Sequence, residues 1–334
     1  MAGIRGFVGL VLGAALAAPA VAQEAEELTV GYFLEWPMPF QFAKATGLYD
    51  ERLGVPVEWV SFDTGTAMSA AMASGDVDIV VSQGVPPFVV AASAGQDLVV
   101  LDVAVSYSEN DNCVVRADLE IDKGNAGTEL AGKKVAVPLG TAAHFGFLEQ
   151  MNHFGVDLAG LEIVDMAPPD GASALAQGAV DMMCGYGAAI TRAQEYGNVL
   201  LTGAEKEALG ILVFDVTSAP RAFVDQNPDL VAGFLAVTAE MNERWNGGGA
   251  AAEEMVPVIA QDAGMDEQAT RDFMATFAFP SIEEQLGPTW LGGGAQEFMK
   301  GVADVFVEAG SIPSALDSYE QAVETGPLQQ AGAM

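Results

Sequence analysis

Two acidic and two aromatic side chains in this chain have the chemistry that holds a small cation. Glu35 and Trp36 stand side by side after a run of β-branched and aromatic residues. Tyr186 and Asp215 each follow a later apolar run. A carboxylate attracts a cation by charge, and an aromatic face attracts it by cation–π contact. Asp215 is the leading candidate, because residues 211–214 are apolar and an unpaired buried carboxylate is costly. The alternatives are a structural salt bridge for Asp215, a packed loop aromatic for Trp36 and a solvated acid for Glu35.

A second group of residues could hold an anion without a basic side chain, because its members stand at or beside the starts of predicted helices. The candidates of this kind are Gln83, Gly84, Val85, Thr141, Ala142 and His144. The first turn of a helix has free backbone N–H groups and a partial positive charge, which suit an anionic head group. For His144, a capping or packing role is the alternative. One cation end and one anion end together describe a small zwitterion.

The elements that must position these residues contain a repeat. Residues 73–84 and 176–187 each read as a helix end, a glycine turn, a short apolar strand and a closing glycine. Glycine suits a left-handed helix end and a close backbone approach at the tip of a strand. The residues identical in the two copies are Ala73, Gly75, Val77, Asp78 and Gly84, matched by Ala176, Gly178, Val180, Asp181 and Gly187. Two copies predict two similar lobes with a ligand cleft between them.

Strand and helix patterns alternate in both halves, which predicts an α/β fold with a doubly wound, mainly parallel sheet in each lobe. We expect lobe one to comprise residues 23–108 and 216–326, and lobe two residues 109–215, with residues 327–334 as a tail. The two crossings between lobes would form a hinge. Ligands of open parallel sheets bind beyond the carboxyl ends of the strands, where the candidate residues stand.

The first 22 residues read as a cleavable export signal. Arg5 precedes an apolar run over residues 6–18, and an Ala-Val-Ala cleavage site ends at Ala22. The alternative is an uncleaved anchor helix. Beyond this segment, no apolar run is long enough to span a membrane. The formal net charge of −33 would repel nucleic acid, and it favours a soluble monomer.

Residues for metal binding or nucleophilic catalysis are scarce. The chain has two cysteines and two histidines without close spacing, which predicts no metal site, no cofactor and no enzymatic activity. Cys113 and Cys184 lie in or beside predicted strands, and a pair in an exported protein is expected to be bonded. Two buried free thiols are the alternative.

Several segments carry a family resemblance over nearly all of the chain after the export signal. They are Phe-Asp-Thr-Gly at 62–65, Ala-Ser-Gly-Asp-Val at 73–77, residues 86–92, Gly-Lys-Lys-Val-Ala-Val-Pro at 132–138 with Thr141 and His144, residues 178–181, and Leu-Val-Phe-Asp-Val at 212–216. These segments resemble the periplasmic substrate-binding proteins of ATP-driven (ABC) importers, in the taurine, alkanesulfonate and nitrate group. The 212–216 segment is similar to the taurine-binding branch.

The resemblance implies a type II periplasmic binding protein with two lobes that close on a hinge, and a membrane permease with its ATPase as partner. It also implies that Asp215 holds the ammonium of taurine or a close analogue. The chain departs from that branch at Gly84 and Val85, where relatives carry two serines, and at Tyr186, where they carry an indole. The alternatives are a different small amine or quaternary ammonium ligand, and an enzyme similar to the pyrimidine-precursor synthases.

Overall fold

The computed structural model describes residues 25–209, 211 and 213–334. The predicted export signal, residues 1–22, lies outside these residues. No helix of the described part of the chain is both long enough and apolar enough to cross a membrane. The strands are β1 (Leu28–Phe33), β2 (Val57–Phe62), β3 (Ile79–Gly84), β4 (Leu98–Tyr107), β5 (Asp111–Arg116), β6 (Lys134–Val137), β7 (Glu162–Asp165), β8 (Met182–Tyr186), β9 (Gly197–Val199) and β10 (Val213–Pro220).

Helices surround these strands and also form most of the chain after β10. They are α1 (Phe40–Thr46), α2 (Leu48–Leu53), α3 (Gly65–Ser74), α4 (Val85–Ser93), α5 (Ala126–Glu129), α6 (Ala142–Phe154), α7 (Pro168–Ala176), α8 (Ala188–Gln194), α9 (Gly203–Ala208), α10 (Arg221–Gln226), α11 (Pro228–Asn246), α12 (Gly249–Glu253), α13 (Val256–Ala263), α14 (Glu267–Met274), α15 (Ile282–Gln285), α16 (Gly294–Glu308) and α17 (Gly326–Ala331).

The strands form two sheets, which confirms the predicted two-lobed α/β fold. The first sheet has the order β2-β1-β3-β10-β4 and the second β7-β6-β8-β5-β9. Within each sheet three neighbouring strands pair in parallel, and one strand, β10 in the first sheet and β5 in the second, runs antiparallel to both of its neighbours. The alternating pattern gave no indication that β10 inserts between β3 and β4. This insertion brings the start of β10 to the carboxyl end of β3.

The repeated motif occupies the same place in both sheets. Gly75 and Gly178 end α3 and α7 with φ of 80° and 70°, in the left-handed region that glycine adopts without strain. The Asp78 carboxylate accepts a hydrogen bond at 2.9 Å from a backbone N–H at the start of β1. The Asp181 carboxylate accepts the corresponding bond at 3.0 Å from the start of β6. The repeated aspartate therefore secures the neighbouring parallel strand in each lobe.

Two segments cross between the lobes, and they are tied to each other. The backbone N–H of Gly203 donates to the Glu109 carboxylate at 3.0 Å, and the Asn112 amide donates to the carbonyl of Leu201 at 2.8 Å. The buried Lys206 ammonium donates to the carbonyl oxygen of Asp111. These bonds couple the outgoing and returning crossings, so the two segments would bend as one hinge.

Two predicted boundaries differ from the structure. We placed residues 213–215 at the end of lobe two, but β10 pairs along its length with β3 and β4 of lobe one. The predicted tail, residues 327–334, contains α17, which packs against α11 and buries Leu328. Its apolar residues explain the difference, because burying them stabilises a chain end that would otherwise be loose.

The predicted disulfide is confirmed. Cys113 of β5 and Cys184 of β8 lie directly opposite each other in the antiparallel pair, and their sulfur atoms are bonded. The bond therefore joins adjacent strands of the second sheet and closes a long loop, with a sequence separation of 71 residues.

Candidate functional site

Asp215 lies at the carboxyl end of β3, because β10 enters the first sheet antiparallel and places Asp215 opposite Gly84. The side chain is buried, with 2% of its surface exposed. Its two oxygens accept hydrogen bonds from the Ser82 hydroxyl at 2.6 Å and the Tyr107 hydroxyl at 2.7 Å. No cation pairs with it among the ion pairs of the described residues. A salt-bridged structural role for Asp215 therefore has no support in this structure.

Burial raises the pKa of the Asp215 carboxyl to about 7, although the bonds from Ser82 and Tyr107 oppose the rise. The nearby charge of Asp111 adds to the increase. Asp111 is itself buried, which raises its pKa to about 7 against the attraction of Lys206. A ligand cation beside Asp215 would supply the opposite charge that this carboxylate lacks.

Ser82 is aimed at Asp215 by a β-bulge. Between the paired residues of β3 and β10, Val81 and Ser82 together oppose Thr217, so β3 carries one extra residue. Ser82 has φ of 61°, a conformation that non-glycine residues rarely adopt and that is concentrated at functional sites. Its hydroxyl donates to Asp215 and accepts the indole N–H of Trp36 at 3.0 Å. One hydroxyl thus fixes both the acid and the indole.

Aromatic rings surround this end of the site. Trp36 is 3% exposed and meets Tyr107 edge to face, with ring centroids 4.9 Å apart. Tyr186 reaches it from lobe two at 6.4 Å, also edge to face, and packs against Phe33 at 5.7 Å. Phe277 also packs against the indole of Trp36, with ring centroids 4.8 Å apart. The packed-aromatic interpretation of Trp36 and the cation-binding one are thus compatible, because a firmly packed ring still contributes to the cavity wall.

These side chains meet around a small cavity of about 10 Å³ between the lobes, which is room for about one water molecule. Its lining residues are Phe33, Trp36, Gly65, Gly84, Pro87, Tyr107, Thr141, Ala142, Tyr186 and Asp215. Three helices of at least nine residues begin at this lining, namely α3, α4 and α6. Their N-termini direct partial positive charge at the cavity. The Asp215 carboxylate lies beside the start of α4, since a Cβ at Gly84 would lie 3.5 Å from its Oδ1. The cavity lining therefore combines three helix N-termini with one buried carboxylate.

The predicted donors at the anion end differ in availability. The Thr141 hydroxyl donates to the carbonyl of Pro138 at 2.6 Å and caps α6, so its proton is already engaged. Ala142 follows it in the first turn of α6, where backbone N–H groups lack helical partners. Gly84 approaches lobe two closely, since a Cβ there would lie 3.5 Å from that of Ala142. Val85 is buried and starts α4 without lining the cavity.

Two further candidates have partners that take their side chains away from the cavity. Gln83 points into lobe one, where its amide group bonds to Gly65, Ser69 and Ser218. His144 accepts the N–H of Gly140 and stacks on Phe306, which supports the capping and packing alternative. Burial lowers the pKa of His144 to about 4, so it stays neutral near pH 7.

Glu35 has a different position from the one we predicted at the cation end. Its carboxylate forms an ion pair at 2.8 Å with Arg192 of lobe two, and about 45% of each side chain is exposed. Glu35 instead lines an outer cleft of about 180 Å³ that shares Phe33, Trp36 and Tyr186 with the cavity. Its ion pair with Arg192 joins the two lobes.

Sequence reasoning missed several residues of the site. Tyr107 ends β4 at the same sheet edge, and an aromatic residue in that position was the available indication. Ser82 was not among the named candidates, although a serine inside an apolar strand run distinguishes it. Asp63 contributes through its backbone carbonyl, which accepts the Tyr186 hydroxyl at 3.0 Å across the cleft. No sequence pattern reports such a backbone contact.

Two lobes, a double crossing and a cavity between the lobes define a protein of the periplasmic binding class. A model of the NMT1/THI5-like family matches residues 37–242, and the chain belongs to that family.

The chain is 25% identical over 319 residues to the taurine-binding periplasmic protein of Escherichia coli (strain K12), covering 95% of this chain and 97% of that protein. It superposes on the alkanesulfonate-binding protein SsuA from Xanthomonas axonopodis pv. citri bound to MOPS, with TM-score 0.73 and 19% identity over 91% and 99% of the two chains. The nitrate-binding protein NrtA from Synechocystis PCC 6803 gives TM-score 0.71 and 15% identity over 93% and 89%. These solved structures confirm the fold.

Proposed function

We propose that this protein is the exported solute-binding component of an ABC importer and that it captures a small amino-sulfonate, taurine or a close analogue. The observation that carries the proposal is the lining of the cavity between the lobes. The lining combines the buried carboxylate of Asp215, which has no cationic partner among the ion pairs of the described residues, with the N-termini of α3, α4 and α6. The Escherichia coli protein to which the chain is 25% identical is a taurine-binding protein, and this similarity supports the same ligand class.

The ammonium of the ligand would lie beside Asp215, next to the rings of Trp36 and Tyr107. A cation there gains both the carboxylate's charge and the aromatic faces, and the low dielectric of a buried site strengthens the attraction. The sulfonate would lie at the starts of α3, α4 and α6. None of the described residues that line the cavity is lysine or arginine, so backbone N–H groups and helix dipoles would hold the anion.

Capture would proceed by closure of the hinge. Lobe one supplies Asp215, Trp36 and Tyr107, whereas lobe two supplies Tyr186 and the start of α6. A ligand that bridges both sets binds the closed form better, and it therefore shifts the population towards closure. A membrane permease with its ATPase would recognise the closed form in the periplasm, where the protein would act as a monomer.

Two observations favour binding over the synthase alternative. Both cysteines are joined in a disulfide, and His144 is committed to capping and packing. Neither is then available as the nucleophile or base of a catalytic constellation. A small quaternary ammonium compound without a sulfonate is the second candidate ligand, because the walls around Asp215 are aromatic.

The test is calorimetry on the mature protein, preceded by a thermal-shift screen. We expect taurine or homotaurine to bind and ethanesulfonate, which lacks the ammonium, to bind at least about a hundredfold more weakly, since a paired carboxylate is worth several kcal/mol. Asp215→Asn should weaken the binding of taurine by a comparable factor. Asp118→Asn, which changes an exposed acid outside the cavity lining, should leave the binding of taurine unchanged. Binding of choline or glycine betaine alone would favour the second candidate. No stabilisation by any of these amines would refute the proposal.

A further inference from the structure

We propose that the cation end of the cavity accepts N-methylated ammonium groups, so that mono- and dimethylated amino-sulfonates bind at least as well as the primary amine. This inference rests on the proposed function and names a substrate class within it. It follows from the hydrogen-bond partners of Asp215 and from the rings around it.

The acceptors at this end already have donors from the protein. Each oxygen of the Asp215 carboxylate receives a hydroxyl, from Ser82 or from Tyr107. The Ser82 oxygen receives the Trp36 indole N–H. Replacing an ammonium hydrogen of the ligand by a methyl group therefore leaves no buried acceptor without a partner. The penalty that usually makes an ammonium site reject methylation is thus avoided.

The remaining walls suit methyl groups. The aromatic residues of the cavity lining are Trp36, Tyr107, Tyr186 and Phe33. The Trp36 ring meets Tyr107 and Tyr186 nearly at right angles, with interplanar angles of 76° and 83° respectively. Rings in such an arrangement present faces from different directions around a cation. Methyl groups spread the positive charge and are easily removed from water, so these faces would compensate for the N–H bonds that methylation removes.

The outer cleft provides space for the added groups. It begins at the same three rings, Phe33, Trp36 and Tyr186, and its other walls include Phe62 and Pro168. Glu35, which lines this cleft, is already paired with Arg192. A larger substituent on nitrogen would therefore meet apolar walls without displacing a charge.

The experiment measures dissociation constants at pH 8 for taurine, N-methyltaurine and N,N-dimethyltaurine, with ethanesulfonate as the compound that lacks the ammonium. We expect N,N-dimethyltaurine to bind with an affinity equal to or greater than that of taurine. If taurine binds and the dimethylated compound is more than threefold weaker, this inference is overturned and the proposed function stands. If none of the amino-sulfonates binds, the proposed function fails as well.

A matched pair of variants locates the effect. Tyr186→Phe keeps the ring and loses the hydroxyl, whereas Tyr186→Leu loses both. The affinity lost on going from Tyr186→Phe to Tyr186→Leu should be about fivefold larger for N,N-dimethyltaurine than for taurine. This is the range expected for one cation–π contact. An equal loss for both ligands would contradict the role assigned to the rings. The ligand series on the unmodified protein still tests the inference if the leucine variant fails to fold.

Discussion

The affinity for an amino-sulfonate should depend steeply on pH, because the acid proposed to hold its ammonium is half protonated near neutrality. Burial raises the pKa of Asp215 to about 7. A protonated carboxyl has no charge to offer, so an ammonium ligand selects the ionised form and lowers the pKa of this group on binding. The affinity must then fall as the pH falls through 7.

The size of the effect follows from that pKa. With a value of about 7, the ionised fraction is about nine-tenths at pH 8, one-tenth at pH 6 and one-hundredth at pH 5. If only the ionised form binds, the dissociation constant rises about tenfold from pH 8 to pH 6 and about ninetyfold to pH 5. The larger change corresponds to about 2.7 kcal/mol. The ligand's own ammonium and sulfonate keep their charges throughout this range.

Titration calorimetry with taurine from pH 5 to pH 8 measures this dependence, at constant ionic strength. Repeating the titration in two buffers of different ionisation enthalpy counts the protons released, about nine-tenths of a proton per ligand at pH 6. Asp111 titrates in the same range and faces Asp215, whereas burial raises the pKa values of Tyr107 and Tyr186 out of this range. Asp111→Asn should therefore keep the dependence and move its midpoint to lower pH.

Asp215→Asn should remove the dependence together with most of the affinity. Constant affinity from pH 5 to pH 8 in the unmodified protein would refute the assignment of the ammonium to Asp215. A full pH dependence that persists in the Asp215→Asn variant would refute it equally, because another group would then be titrating.

Three further predictions concern the supports of the site. Ser82→Ala leaves the indole N–H of Trp36 without its acceptor, and the free energy of unfolding should drop by about 1–3 kcal/mol in a denaturant titration; unchanged stability would show that this bond is replaceable. Arg192→Gln should change taurine affinity by less than about fivefold in calorimetry, because an ion pair this exposed contributes at most about 1 kcal/mol; a hundredfold loss would make it a principal closure contact. Removing the Cys113–Cys184 bond by double serine substitution should lower stability by about 4 kcal/mol through the long loop that it closes, and thermal unfolding with and without reductant would expose a smaller effect.

Much of the architecture could be predicted from the sequence because the relevant signals are local. The repeat at residues 73–84 and 176–187 carries its own glycine turns and apolar strands, and both copies form the helix-turn-strand unit that we predicted. Glycine at a left-handed position and a run of apolar residues depend little on distant partners. The sheet edge that holds the site followed from the same elements.

The composition of the site was only partly predictable. Asp215 and Trp36 were identified by residue type and by position after an apolar run, and both line the cavity. Glu35 was identified by the same two local features, yet its carboxylate pairs with an arginine from the opposite lobe. The sequence separates these two partners widely, and a side chain's partner depends on which surfaces meet when the lobes pack.

The sequence by itself determined the two lobes, and it indicated the sheet edge and the acid that we propose for ligand binding. Only the tertiary structure decided that β10 inserts between β3 and β4, and that a bulge turns Ser82 towards Asp215. The physical reason is the distance along the chain over which each feature is determined. Helix ends, turns and strand patterns arise within a few residues, whereas the register between distant strands and the burial of a carboxylate result from the packing of the whole chain.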